Sequence, residues 1–341
     1  MQNINSNIIF KKNLRCKVFK LLIIFIFYFH SLFYKYYINV KYINCFHCLE
    51  KLEQFNSKCF ECPNEILFKD FTVISKENTL DEIIKNNKSI SRFGDGEFSL
   101  IFGHGINFQN YNNNLSKRLL KVLNSEEKNL LVGIFFPYKK KELLLYRDSV
   151  AKFWINWLSG NKFKLLKILN KKKKYYSADI TRFYSNFKDK SGVPKFIRKL
   201  KKIWEGRDIL IIEGEKSRIG IGNNLLNNSK SIKRIICPAK NAFNAYNKIL
   251  NAALQVSKDI LILISLGPTA SILAYDLSKL GYQAIDIGHS DIQYELYLRK
   301  ANKTIQIPFK FVNEFNGGKN EDVGNITDVK YYNQIINKII Y

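Results

Sequence analysis

Two carboxylates stand two residues apart in the stretch SRFGDGEFSL, residues 91–100. Asp95 and Glu97 are separated by one glycine and preceded by Gly94, so the pattern predicts a flexible bend inside a run that otherwise has the character of a core. Paired carboxylates suit Mg²⁺ or Mn²⁺, which keep coordination positions open for substrate phosphates. Such pairs are also common on surfaces, so other residues must support a metal site.

A glycine-rich segment, EGEKSRIGIGNNLL (213–226), follows an apolar run and offers a second element for phosphate chemistry. Gly220 and Gly222 would let backbone N–H groups approach a phosphate, and Arg218 could bind it with two parallel hydrogen bonds. The segment matches neither a Walker loop nor the GxGxxG pattern. An ordinary glycine turn is the alternative interpretation.

A third element is the stretch GPTAS, residues 267–271. Gly267 and Thr269 would open a helix just after an apolar run. The dipole and the free N–H groups at the start of such a helix favour an anion.

The stretch GHSDIQYE (288–295) brings three titratable residues together. His289 precedes Asp291 and Glu295, which are four apart and therefore share one face of a helix. These side chains are candidates for acid–base chemistry. A simple helix cap would explain Asp291 equally well.

The elements that would position these residues alternate along the chain from residue 74. Apolar runs predict buried strands at 129–136, 207–214, 232–238, 258–266 and 283–287. Amphipathic spacing and helix-start signals predict helices at 79–87, 241–255, 268–281 and 290–301. The alternation is typical of an α/β fold with a doubly wound, mostly parallel, Rossmann-like sheet, in which ligands bind beyond the carboxyl ends of the strands.

Several local features complete this prediction. Thr79 and Ser290 are predicted to cap the starts of their helices. Residues 139–204 are rich in lysine and helical in pattern, with three tryptophans as apolar anchors: Trp154, Trp157 and Trp204. The run of four lysines at 171–174 is predicted to be an exposed loop.

The first 40 residues form a separate region. Residues 21–33 are almost wholly apolar and follow five basic residues; extended to Ile38, the run reaches the roughly 20 residues that span a bilayer. No small-residue cleavage site follows, which favours an uncleaved membrane anchor with a cytoplasmic N-terminus. If this segment spans the bilayer, the chain that follows it would lie outside the cytoplasm. If the segment lies in the membrane interface, the chain that follows would stay in the cytoplasm, at the membrane surface. A buried helix is the alternative.

The next region, residues 41–73, carries two CxxC pairs, Cys45 with Cys48 and Cys59 with Cys62. Four thiolates so spaced predict a structural Zn²⁺ site. Two disulfides, or free cysteines, are the alternatives. None of the three interpretations gives these cysteines a catalytic role.

Composition narrows the classes of partner. The chain has 341 residues, and its hydrophobic fraction of 46% argues against wholesale disorder. Its formal charge of +26 favours anionic partners. A bias toward lysine on a solvated surface would explain the charge as well. Nucleic acid is not expected, because the lysines do not interleave with aromatics in a recognised binding motif.

The ordered motifs together resemble one known family. SISRFGDGEF, EGEKSRIGIGNNLL, PAKNAFNAYNKIL, LISLGPTASILAYDL and GYQAIDIGHSDIQYE occur in the order found in GT-D-fold glycosyltransferases. The resemblance covers about residues 74–325 and leaves out the hydrophobic and cysteine-bearing N-terminal extension. It implies a GT-D-type domain over residues 74–341.

The resemblance also implies a reaction. It predicts a transferase, dependent on Mn²⁺ or Mg²⁺, that moves a sugar, typically glucose, from a UDP-sugar to a glycan, glycoprotein or lipid-linked acceptor. The metal motif falls on Asp95 and Glu97. The residues predicted to bind the nucleotide-sugar are Arg92, Gly94, Arg218, Gly220, Gly222, Asn223, Asn224, Gly267 and Thr269.

The remaining expectations concern charge and proton transfer. Arg92 and Arg218 would stabilise the departing diphosphate, and Asp291, then His289, would accept the proton, with Glu295 nearby. The chain has Asn224 and Gln293 where the family pattern leads us to expect carboxylates. The alternatives are a membrane-tethered protein that binds nucleic acid or acidic glycolipid through its basic surface, and a metal-dependent nucleotide-sugar hydrolase.

Overall fold

A computed structural model of the chain describes residue 68 and residues 70–135, 140–315 and 323–340. From Asp70 onward these residues belong to one compact unit. The apolar run at 21–38 and the two CxxC pairs lie outside the described residues. Within the described ranges, no helix combines the length and the apolar character needed to cross a membrane.

The described strands and helices alternate along the chain. The strands are β1 (Thr72–Val73), β2 (Ser89–Phe93), β3 (Leu130–Ile134), β4 (Lys174–Ser177), β5 (Asp208–Gly214), β6 (Ser231–Cys237), β7 (Leu261–Ser265), β8 (Ala284–Asp286) and β9 (Ile335–Lys338). The α-helices are α1 (Lys76–Lys85), α2 (Asp95–Ile101), α3 (Asn113–Leu123), α4 (Lys140–Leu143), α5 (Asp148–Ile168), α6 (Val193–Lys201), α7 (Tyr246–Ala253), α8 (Pro268–Lys279), α9 (Ser290–Leu298) and α10 (Val329–Asn333). Short 3₁₀ helices cover Ala178–Thr181 and Ala242–Ala245.

All the described strands pair in parallel, in the order β1-β4-β3-β2-β8-β7-β5-β6-β9. This confirms the predicted α/β fold with a parallel sheet. After β2 the chain adds β3 and β4 on one side, and it then builds β5, β6, β7 and β8 on the other. The direction of winding therefore changes between β2 and β8, where a doubly wound sheet forms its ligand crevice.

The sheet is stabilised mainly by burial of its central strands. Ile211 of β5 and Ile262 and Leu263 of β7 are fully buried, because helices cover both faces of a parallel sheet. Trp204, predicted to be an apolar anchor, is also fully buried and donates its indole N–H to the carbonyl of Leu225 at 3.1 Å. These contacts fix the ends of the strands that carry the polar loops.

Three local predictions were wrong. The N-cap of α1 is Ser75, whose hydroxyl accepts from the N–H of Asn78; Thr79 lies inside the helix, where its hydroxyl donates back to the carbonyl of Ser75 at 2.8 Å. Ser290 is the first residue of α9 and does not cap it, because its hydroxyl donates to the carbonyl of Ile287. The segment that contains Asp95 and Glu97 is the first turn of a helix instead of a flexible bend.

The helical prediction for residues 139–204 was only partly correct. Helices α4, α5 and α6 lie there, but β4 lies between α5 and α6. Lys174, the last of the four lysines, is the first residue of that strand, so the run is not wholly a loop. Tyr175 next to it is fully buried and pairs with β1, and this tertiary contact overrides the charged local sequence.

Candidate active site

A cavity of about 770 Å³ lies beyond the carboxyl ends of the strands. Its wall includes residues that follow β2, β3, β4, β5, β6, β7 and β8, so it spans the point where the winding direction changes. Asp95, Glu97 and His289 are among the predicted residues that line it. The predicted location of the site at this edge of the sheet agrees with the cavity.

Asp95 and Glu97 lie in the first turn of α2, directly after β2. Gly94 is the N-cap residue, and its N–H donates to Oε2 of Glu97 at 2.8 Å. This contact fixes Glu97 against the helix start, and the helix dipole favours both negative charges at this end. The carboxylate pair is therefore held by regular structure.

Burial disfavours the charge on both carboxylates. It raises the pKa of Glu97 to about 7, and it raises the pKa of Asp95 even though the Asp95 side chain opens to solvent in the cavity. Within the described part of the chain, neither carboxylate forms an ion pair. A bound cation would supply the missing positive charge.

The donor set fits a hard divalent cation that also binds a substrate. Two carboxylate oxygens are what Mg²⁺ and Mn²⁺ commonly take from a protein that leaves the other positions to phosphates and water. No group of three or more His, Cys, Asp and Glu side chains within the described ranges is arranged as a metal site. The two carboxylates and the cavity beside them fit an open site that a substrate would complete.

Arg92 is engaged mainly with protein groups at the junction of β2 and β8. Its Nη2 donates to Oδ1 of Asp286 at 2.7 Å, its Nε donates to the carbonyl of the same residue at 2.8 Å, and its Nη1 donates to Thr181. Burial raises the pKa of Asp286, and Arg92 opposes that effect. Arg92 lines the cavity as predicted, but these three hydrogen bonds give it a role in joining the two halves of the sheet.

Sequence reasoning did not identify Arg182 or Glu314, which meet His289 in the cavity wall. Nη2 of Arg182 donates to Oε1 of Glu314 at 2.6 Å and lies 3.2 Å from Nδ1 of His289. Nε2 of His289 lies 3.2 Å from the same Glu314 oxygen. Neither residue lies in one of the sequence motifs described above, and only the folded chain brings the two to His289.

This arrangement determines the protonation of His289. Burial, together with Arg182, lowers the pKa of His289 to about 4, so the imidazole is neutral near neutral pH. Because a guanidinium can only donate, Nδ1 of His289 accepts from Arg182, and the proton of the neutral imidazole is on Nε2, which lies 3.2 Å from Oε1 of Glu314. Burial alone would raise the pKa of Glu314, but Arg182 and His289 bring it down to about 2. His289 thus has neither nitrogen free to accept a proton while this triangle is intact.

Asp291 and Glu295 lie on one face of α9, as predicted, but they form a buried ionic cluster. Nζ of Lys310 contacts Oδ2 of Asp291 at 2.5 Å and Oε1 of Glu295 at 3.3 Å. Oδ1 of Asp291 accepts from the N–H of Gly220 and from Nδ2 of Asn223. The Asp291 carboxylate is only 3% exposed and its oxygens already accept donors, which disfavours a role as general base.

The glycine-rich loop packs against α9. The residues in this loop that were predicted to bind the nucleotide-sugar do not line the cavity. Gly220 has a φ of +76° and Asn223 donates to both carboxylates of the cluster, while Asn224 accepts from the hydroxyl of Tyr294. Gly222 also has a φ of +76°. Arg218 donates to three carbonyl groups, those of Phe309, Val323 and Gly324. Four of these residues, all but Gly222, bind neighbouring segments, and none of the five lines the cavity.

The start of α8 is closer to the predicted arrangement. Gly267 is its N-cap residue, lines the cavity and has a φ of +51°. A Cβ atom on Gly267 would overlap the ring of Phe108, so glycine is required for this close approach. Thr269 is fully buried, does not line the cavity, and its hydroxyl finds no hydrogen-bond partner among the described residues.

The family comparison agrees with this geometry. The family described as "Glycosyltransferase GT-D fold" matches residues 90–315. The chain belongs to this family. The match begins in β2, before the carboxylate pair, and ends just after Glu314, so it contains both halves of the cavity wall.

Two related proteins are also named as glycosyltransferases, one of them as a probable one. Glycosyltransferase GlyD of Streptococcus pneumoniae serotype 4 is 35% identical over 264 residues, which are 77% of this chain and 32% of that protein. A probable glycosyl transferase, Gly, of Streptococcus gordonii is 37% identical over 268 residues, 79% of this chain and 39% of that protein. The chain thus spans about a third of the length of these relatives.

Solved GT-D structures resemble the fold closely. The structure described as the highly conserved domain of unknown function 1792, with a distinct glycosyltransferase fold, has a TM-score of 0.76 and 36% identity, over 81% of this chain and 98% of that one. A structure described as a new glycosyltransferase from Streptococcus sanguinis has a TM-score of 0.75 and 35% identity, over 79% of this chain and all of that one. The likeness extends over most of the described chain and over nearly all of each solved structure.

Proposed function

We propose that the chain is a metal-dependent glycosyltransferase that moves a sugar, most readily glucose, from a UDP-sugar to a glycan, glycoprotein or lipid-linked acceptor. The observation that carries the proposal is the carboxylate pair. Asp95 and Glu97 line a cavity of about 770 Å³, lie at a helix start, have raised pKa values and form no direct ion pair among the described residues. Membership of the glycosyltransferase family supports the class of reaction.

Asp95 and Glu97 would hold the cation. When bound, a divalent cation would neutralise charge that develops on the diphosphate as the sugar leaves. Gly94 keeps Glu97 in place through its N–H, and β2 anchors the turn that carries both carboxylates. The protein thus supplies two fixed oxygen ligands and leaves the remaining positions to the donor.

Positive charge on the protein side would come from Arg182 more than from Arg92 or Arg218. Arg182 lines the cavity, and its charge opposes the rise in the pKa of Asp95, which indicates that it lies near this carboxylate. Arg92 already binds Asp286, and Arg218 binds backbone carbonyl groups away from the cavity. Glu314 and His289 orient Arg182, so its guanidinium is pre-organised before a substrate arrives.

Release of UDP from UDP-glucose by the full chain tests this proposal. Activity should need Mn²⁺ or Mg²⁺ and should be lost in Asp95→Asn and Glu97→Gln. Asp259→Asn is the matched control, because Asp259 is exposed and precedes β7, at the end of the strand opposite to the cavity. Full metal-dependent activity in Asp95→Asn would refute the assignment. Rapid formation of free glucose without an acceptor would identify a hydrolase instead.

A further inference from the structure

The cavity wall differs in character between its two halves. On the side of β5, β7 and β8, the wall contains Gly214, Gly267 and Gly288, and the last two have positive φ angles and lie next to the starts of α8 and α9. The ring of Phe108 fills the space beside Gly267 and the guanidinium of Arg92 fills the space beside Gly288, so a ligand would meet the backbone N–H groups at the two helix starts, which favour phosphate oxygens. This half is therefore suited to the diphosphate of a donor.

Phe108 and Phe311 also line that half, whereas the half on the side of β3 and β4 contains a cluster of three aromatic rings in contact with one another. The rings of Phe135 and Trp154 are stacked, with centroids 4.3 Å apart and an interplanar angle of 21°. Phe153 meets Trp154 edge to face, with centroids 5.3 Å apart and an angle of 83°. All three residues line the cavity, so a rigid aromatic surface faces its interior.

Phe153 differs from its two aromatic neighbours in exposure. Phe135 and Trp154 are 5% and 6% exposed, whereas Phe153 is 46% exposed. It also lies off the buried face of α5, so packing of that helix does not explain it. A large apolar ring that opens into a cavity is typical of a binding surface.

We propose that Phe153, supported by Trp154 and Phe135, is the platform of the acceptor subsite and binds the pyranose ring of a carbohydrate acceptor. This inference rests on the glycosyl transfer proposed above. A pyranose presents a C–H face that packs on an aromatic ring and hydroxyl groups around its edge. Ser149 and Asn186 line the same part of the cavity and can hydrogen-bond to such hydroxyl groups.

The position of the platform favours an acceptor sugar over the nucleobase of the donor. The carboxylate pair after β2 lies between the aromatic half and the glycine-rich half. With the diphosphate at the carboxylates and the glycines, the aromatic side remains open to the molecule that receives the sugar. A nucleobase on Phe153 is thus the competing occupant, and the experiment separates the two.

Binding of the full chain to an array of immobilised mono- and oligosaccharides tests the proposal. The wild type should bind at least one sugar, Phe153→Ala should bind it about tenfold more weakly or worse, and Phe153→Tyr should retain binding because the ring is kept. Phe163→Ala is the matched control, since Phe163 lies on the same helix, is 53% exposed and does not line the cavity. Thermal unfolding should be unchanged, because the Phe153 ring is not part of the core.

Calorimetric titration with UDP distinguishes failure of this inference from failure of the proposed function. UDP affinity should be the same in the wild type and in Phe153→Ala. Weakened UDP binding in Phe153→Ala would assign the platform to the nucleobase and overturn the inference. Equal sugar binding by Phe153→Ala and the wild type, or no sugar binding by a wild type that binds UDP, would also overturn it. Absence of UDP binding in the wild type would refute the proposed function itself.

Discussion

Gly288 lies so close to Arg92 that a Cβ atom on the glycine would overlap the Arg92 guanidinium. Gly288 follows β8 and has a φ of +43°, and Arg92 is on β2, so the contact crosses the point where the winding of the sheet changes. The missing side chain lets Arg92 reach Asp286. A single glycine therefore allows the ion pair that joins the two halves of the site.

Gly288→Ala should destabilise the protein by about 1–3 kcal/mol, because it combines backbone strain with displacement of a largely buried arginine. Denaturant unfolding measures the change in the free energy of unfolding. Gly160→Ala is the control: Gly160 is inside α5 with open space around its Cβ position, and alanine there should stabilise by about 0.5–1 kcal/mol. A Gly288→Ala protein as stable as the wild type would contradict the account of this contact.

The buried ion pair between Lys310 and Asp291 should stabilise the folded protein as one unit. Each is nearly fully buried, and their ion pair ties the segment before Glu314 to α9. Lys310→Met and Asp291→Asn should each cost about 3 kcal/mol or more, since each leaves the other residue of a buried pair unbalanced. The double variant should cost less than the sum of the two single variants, as a double-mutant cycle by urea unfolding would measure. Additive effects would show that the pair does not act as one unit.

Asp179 should make stability depend on pH. Burial raises its pKa from the ordinary value of 3.8 to about 7, and Tyr146 donates to one of its oxygens. The stabilising contribution is complete below about pH 4, falls as pH rises because the unfolded state loses its proton first, and is exhausted above about pH 7. The loss approaches about 1.4 kcal/mol per pH unit inside that window.

Comparison with Asp179→Asn isolates this contribution from those of other buried groups. The difference in the free energy of unfolding between the wild type and the variant should shift against the wild type from about pH 4 to about pH 7 and then level off. Urea unfolding at a series of pH values measures it. A difference that stays constant across the series would mean that Asp179 titrates normally.

The sequence predicted the parts of the fold that carry strong apolar periodicity. Strands β3, β5, β6, β7 and β8 and helices α8 and α9 coincide with predicted elements, to within a few residues at their ends. Strand β4 was missed because lysines surround its tyrosines, and its burial depends on partners distant in the chain. The stretch before Asp95 was not assigned as a strand, although β2 there pairs with both β3 and β8.

The sequence likewise predicted some residues of the candidate site and missed others. Asp95, Glu97, His289 and Gly267 follow strands directly, so the rule that ligands bind at strand ends located them correctly in the cavity wall. Arg218 lies outside the cavity wall because its loop turns back onto α9 and its side chain binds the carbonyl groups of Phe309 and Gly324. Arg182 and Glu314 carry no local signal, since only the folded chain brings them to His289.

Calorimetric titration of the full chain with UDP, with and without Mn²⁺, tests the central claim most directly. UDP should bind in the presence of Mn²⁺, and the dependence on metal should disappear together with tight binding in Asp95→Asn, because that change removes one of two carboxylate ligands. Asp259→Asn should bind as the wild type does. UDP binding that is equal with and without metal, or unchanged in Asp95→Asn, would contradict a metal site at the start of α2.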